Sequence, residues 1–118
     1  MPGWATVDIE RAIGPVLRAT ATSRDELLGA FAAVVNVDPG SRVVLLEPST
    51  EGPLAAALAR HGEGWVAAYL LPMGGSATGE LHARGFRLSA AGPGPFGTQR
   101  RVVVGRRDGP FILVVDPS

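Results

Sequence analysis

The stretch LLEPSTEGPLAAALARHGEGW, Leu45 to Trp65, decides the fold. It opens as an apolar strand, closes at Glu47-Pro48, passes through an alanine-rich helix and restarts at Gly64-Trp65. Pro53 suits a first helical turn, because its ring fixes φ and its missing N–H has no intrahelical partner to lose there. Gly62 stops the helix, since glycine takes the left-handed backbone of a helix C-terminus at little cost. A strand, a short helix and an immediate new strand mark this stretch as the join between two similar units.

The units echo each other. DPGSRVVLLEPS (38–49) and DGPFILVVDPS (108–118) each set an Asp/Gly/Pro turn before an apolar run that closes on an acidic residue and Pro-Ser. Gly3-Trp4-Ala5 and Gly64-Trp65-Val66 open the two halves alike. Self-similarity in a shared order is what a duplication leaves behind. The expected layout is one domain over 1–118, with module one at 1–50, a linker helix at 51–61 and module two at 62–118.

Within module one, residues 3–7 read as a short strand running into Asp8, a suitable N-cap. Ile9, Ala12, Ile13, Val16 and Leu17 then share one helical face, and Gly14-Pro15 predicts a kink in it. AFAAVVNV and SRVVLLE flank Asp38-Pro39-Gly40 as a hairpin. In module two, GWVAAYLL (64–71) is a strand and Ala77 to Arg84 a helix closed by Gly85. FRL follows, and then a hairpin of RRVVVG and PFILVV around Asp108-Gly109. GPGPFG (92–97) satisfies G-x-G-x-x-G, but Pro93 and Pro95 lack an N–H and an arginine-rich strand follows instead of a helix. It reads as a loop, with Phe96 at the tip of a lid over a cleft. The fold class is α+β: two βαβββ-type modules in a curved, mainly antiparallel sheet around a cleft, the first module shortened.

Bulk properties narrow the function. The chain has 118 residues, 46% of them hydrophobic and 19% charged, enough for an ordinary packed core. Lys+Arg and Asp+Glu are equal at 11 each, so no overall field draws nucleic acid or anionic membrane. No apolar run approaches the roughly 20 residues of a membrane span, and MPGWATVDIER lacks the pattern of a secretory signal. A cytoplasmic location is expected. With no cysteine, disulfides, thiolate metal sites and cysteine nucleophiles are excluded. With two histidines as well, no Ser-His-Asp or Cys-His arrangement can be assembled.

The run from Glu47-Pro48 through PLAAALARHGEG, the Arg84-Gly85 pair and the glycine-rich loop before RRVVV resemble the vicinal oxygen chelate superfamily. That superfamily includes glyoxalase I, bleomycin-resistance proteins and methylmalonyl-CoA epimerase, and the likeness spans about 41–118, closest to the epimerase-like branch. It implies a divalent cation held by His, Glu or Gln, His and Glu on strands facing the cleft. Carried over position by position, those ligands fall among Met1 to Trp4, on Val44, on Ala67, and on Leu113 or Val114. None of these offers the O or N donor a cation needs. No metal or other cofactor is therefore expected.

If Ala67 stands at a ligand position, Trp65 and Tyr69 share its face by strand alternation. With Trp4, Val44, Leu46 and Leu113 they would line an apolar cleft with an aromatic wall, although the same residues also serve as ordinary core. Phe96 as lid and Arg101 as receiver of a carboxylate or a CoA phosphate complete the candidate ligand set. Glu47 lies an odd number of residues from Val44 and should point away from the cleft. Asp38 and Asp116 fit turn geometry, so no catalytic residue is assigned and turnover stays open. The expected function is metal-independent binding of a hydrophobic or aromatic small molecule. The alternative is a metal-free isomerase, lyase or cyclase of acyl-CoA or natural-product metabolism. A third reading is a partner subunit with a vestigial cleft. A homodimer is expected, because the shortened first strand leaves a sheet edge to cover.

Overall fold

The structure is a computed structural model and describes residues 1–13, 19–38, 41–71, 77–103 and 110–116. The elements in chain order are β1 (Pro2–Ala5), α1 (Ile9–Ile13), β2 (Ala19–Asp25), β3 (Ala30–Asp38), β4 (Ser41–Pro48) and α2 (Pro53–His61). They continue as β5 (Gly64–Leu70), α3 (Ala77–Ala83), β6 (Arg87–Leu88), β7 (Gly92–Gly94), β8 (Gly97–Val103) and β9 (Phe111–Val115). The strands pair in the order β2-β3-β4-β1-β5-β9-β8-β6, and β7 also pairs with β8.

The pairing repeats itself about the centre. β1 runs parallel to β4 and β5 parallel to β9, while β1 and β5 join antiparallel in the middle. Every other ladder is antiparallel, so the α+β, mainly antiparallel expectation holds. The sheet curls into a half-barrel whose two ends meet where the Glu26 N–H donates to the Pro93 carbonyl at 3.0 Å.

Local chemistry sets the helix ends. At α1 the Asp8 carboxylate accepts the Arg11 N–H at 3.3 Å, and Glu47 Oε1 accepts the Ile9 N–H at 2.9 Å. Two N–H groups without an intrahelical partner are thereby satisfied, one by the residue expected to cap. Glu47 does point to the helix side, away from the inside of the curl. α2 begins at Pro53 and stops at Gly62, whose φ is +77° and whose N–H returns to the Leu58 carbonyl at 2.8 Å. Both ends fall where the sequence puts them.

Two apolar layers flank the sheet. The inner one gathers Ala5, Leu28, Ala30, Ala32, Val34, Val44, Leu46, Leu54, Ala67, Tyr69 and Leu113. The outer one gathers Val35, Val43 and Leu45 beneath Trp4, Ile9 and Ile13, so α1 covers part of the convex face. β4 feeds both layers, Val44 and Leu46 inward and Val43 and Leu45 outward, which is why its apolar run is unbroken.

Two segments depart from the sequence reading. Residues 19–25 form β2, a strand that ATATSRD announces poorly because its only apolar residues are two alanines. GPGPFG is not an open loop: Gly92–Gly94 pairs with the start of β8, with Gly94 opposite Gly97, so Pro95-Phe96 is the turn of a short hairpin. Pro93 keeps its carbonyl, which accepts the Glu26 N–H, and Pro95 lies in the turn outside the ladder. The expected kink at Gly14-Pro15 and the turn residues Pro39-Gly40 and Asp108-Gly109 lie outside the described residues.

Candidate functional site

The inner face is where the resemblance puts a cation. Gly3 stands between Val44 on β4 and Ala67 on β5, forming one row across the middle of the sheet. Leu113 lies one step along, beside Tyr69, and belongs to the inner layer, whereas Val114 pairs with Leu70 and does not. Val44 and Leu113 are fully buried. A Cβ added at Gly3 would lie 3.0 Å from the Ala67 Cβ and 3.2 Å from a Leu46 methyl. The row is donor-free and closed by hydrocarbon, so these residues do not fit a metal ion. Among the described residues no three His, Asp or Glu side chains gather as a metal site.

Polar groups sit farther along the same face. The Tyr69 hydroxyl donates to Asp25 Oδ2 at 2.6 Å, and Asp25 Oδ1 accepts the Leu28 N–H at 3.1 Å. Burial, reinforced by the Asp25 charge, pushes the Tyr69 hydroxyl far above the ordinary phenol range. Phe96 packs edge-on against Tyr69, centroids 5.6 Å apart. Arg101 lies over the Phe111 ring at 4.6 Å. Gln99 is completely buried, and neither polar atom of its amide has a hydrogen-bond partner among the described residues.

The tryptophans are elsewhere. Gly3 pairs with Ala67 but Trp4 pairs with Trp65, so one step on β1 answers two on β5, and Val66 is the extra residue of a bulge. The bulge switches Trp65 to the opposite face from Ala67 and Tyr69, correcting the expectation that strict alternation keeps all three together. Trp4, adjacent to inward Gly3, also points outward. The two indoles meet edge to face at 4.8 Å and 89°, a geometry worth about 0.5–1.5 kcal/mol beyond area burial.

They wall a pocket of about 410 Å³ with Val35, Val43 and Leu45 as its floor and Arg11 and Ala12 of α1 on one side. Thr6 and Glu63 complete the lining. Glu63 Oε2 accepts three hydrogen bonds: from Thr6 Oγ1 at 2.6 Å, from the Val7 N–H at 3.1 Å and from Arg11 Nη2 at 2.9 Å. The Thr6 and Val7 bonds above all, with Arg11 adding its charge, hold the Glu63 carboxyl below its ordinary range.

Of the nine residues proposed from sequence, Val44, Leu46, Ala67, Tyr69 and Leu113 come together as buried inner core, with Phe96 and Arg101 on the same face. Trp4 and Trp65 come together on the other. The sequence reading missed Asp25, Gln99, Thr6 and Arg11. Asp25 is an inward position of a strand the sequence did not announce, and Gln99 one just ahead of the predicted strand RRVVVG; Thr6 and Arg11 owe their place to Glu63, from a distant segment.

No family model matches the chain, and neither does any curated protein sequence. Solved structures do. Methylmalonyl-CoA epimerase of Mycobacterium tuberculosis is 22% identical with a TM-score of 0.77, covering 99% of this chain and 85% of its own. The Streptomyces coelicolor epimerase, solved in complex with 2-nitronate-propionyl-CoA, is 19% identical at 0.75, covering 96% and 91%. A hypothetical protein of Bacillus halodurans is 18% identical at 0.74, covering 99% and 91%. At these identities the likeness establishes the fold alone, the one these epimerase structures have.

Proposed function

We propose that the protein binds a hydrophobic or aromatic small molecule without a metal ion. The donor-free row of Gly3, Val44 and Ala67, with Leu113 one step along, carries this reading. Where the fold would seat a cation, hydrocarbon side chains fill the space, so recognition rests on apolar contact and shape. A homodimer belongs to the same reading. Leu70, Leu71, Phe86 and Val103 are exposed large apolar residues of the second half, and a partner copy would cover them. Native mass spectrometry of the protein from its own host is the test. Binding predicts an organic mass carried unchanged; a bare polypeptide after gentle purification would count against it.

The Asp25–Tyr69 pair supports a second reading, a metal-free isomerase of CoA esters. An acidic group and a phenol share the inner face with a guanidinium, Arg101, and the fold is that of epimerases solved with CoA esters. Such an enzyme would exchange the α-hydrogen of methylmalonyl-CoA with solvent deuterium in the presence of EDTA. No exchange above the uncatalysed rate would eliminate it.

A further inference from the structure

We propose that the ligand site lies on the outer face of the sheet, in the Trp4–Trp65 pocket beneath α1, and that its ligand is an uncharged planar ring bearing one hydrogen-bond donor. This rests on the small-molecule reading and moves the site away from the inside of the curl, where such folds present their cleft.

Three features carry it. The inner row is shut, whereas the outer pocket stands open at a size suited to a small ligand. Its wall is built: the bulge at Val66 brings Trp65 across to meet Trp4, yet leaves Trp65 64% exposed over a floor of Val35, Val43 and Leu45. A flat ring sliding between floor and indole would bury that surface, with aromatic contact on one side and aliphatic contact on the other. The rim then sets the charge. Glu63 and Arg11 are already paired at 2.9 Å, so a charged ligand would have to break or outbid that contact. Glu63 Oε2 is taken three times over, while Oε1 accepts from no described residue and can receive a hydroxyl or ring N–H.

The chain has two tryptophans, so the indole N–H region of a ¹⁵N-correlated NMR spectrum holds two signals, both from this wall. The experiment titrates 1-naphthol into the full chain, follows those signals, and repeats the titration for Trp65→Ala and Phe96→Ala, with 1-naphthoate as the charged comparison. The expected result is a saturable shift of both signals. Trp65→Ala should weaken binding at least tenfold with an unchanged far-UV spectrum, Phe96→Ala should leave it within twofold, and 1-naphthoate should bind at least tenfold more weakly. Binding lost in Phe96→Ala but kept in Trp65→Ala would leave the small-molecule reading standing and overturn this site. Equal or tighter binding of 1-naphthoate would overturn the ligand class. Shifts of the same signals on dilution without probe would assign the face to a second copy and overturn the proposal. No shift with either probe in the wild type would overturn the site, and bare protein from the native host would then remove the broader reading too.

Discussion

The Tyr69 hydroxyl and Asp25 Oδ2 lie 2.6 Å apart inside the curl, joining a central strand of the second half to the edge strand of the first across 44 residues of chain. Asp25 also holds the Leu28 N–H, so one buried carboxyl organises the turn between β2 and β3 and fastens it to β5. Tyr69→Phe leaves that carboxyl short of one donor. The loss should be about 1–3 kcal/mol in urea unfolding, the usual cost of an orphaned buried acceptor. In an Asp25→Ala background the same substitution should cost much less, because the two groups form one unit.

Tyr69 also predicts an alkaline limit. An unfolded tyrosine ionises near pH 10, whereas burial and Asp25 raise the folded group well above that. The folded state therefore binds the proton more tightly, and its contribution to stability is complete below about pH 10 and falls as pH rises beyond it. Tyr69 is the only tyrosine. Its tyrosinate absorbance should appear together with loss of far-UV structure; a separate phenolate step in still-folded protein would contradict the buried pair.

Glu63 titrates in the other direction. Its carboxyl is held low chiefly by Thr6 and the Val7 N–H, so its modest stabilising effect is present above the ordinary glutamate value and lost as pH falls below it. Thr6→Val should raise the Glu63 titration midpoint, followed by carboxyl carbon NMR, more than Arg11→Gln does. The reverse order would mean that the exposed ion pair, which solvent screens, outweighs the short hydroxyl bond.

Gln99 and Gly94 should be coupled. A Cβ at Gly94 would collide with the Gln99 amide, which fills the space beside that glycine. Gly94→Ala is expected to destabilise clearly on its own and to be largely rescued by Gln99→Ala. Gln99→Leu should be neutral or stabilising by about 1 kcal/mol, because the amide it removes has no partner among the described residues. Chemical denaturation of the four proteins closes the cycle.

Most of the fold was legible because its signals are local. Pro53 and Gly62 bracket α2, Asp8 caps α1, and the unbroken apolar run of β4 follows from its burial on both sides. The site was legible only in part. Alternation from Ala67 put Trp65 on the inner face, and Trp4 was placed in the same cleft, whereas both indoles lie on the outer face. The bulge at Val66 turns Trp65 away from Ala67, and nothing in Gly-Trp-Val-Ala-Ala-Tyr marks it. Asp25 escaped notice because ATATSRD gives no strand signal, and Thr6, Arg11 and Glu63 meet only through tertiary structure.

The central claim is that the inner row of this fold, donor-free at Gly3, Val44, Ala67 and Leu113, holds no cation. Its most direct test is titration calorimetry of dialysed protein with zinc, cobalt, nickel and manganese, with the metal content of freshly purified protein measured alongside. The account predicts substoichiometric metal and no saturable heat at micromolar concentration. One equivalent of any of these ions bound at that concentration, and lost on substitution of an inner-face residue, would contradict it.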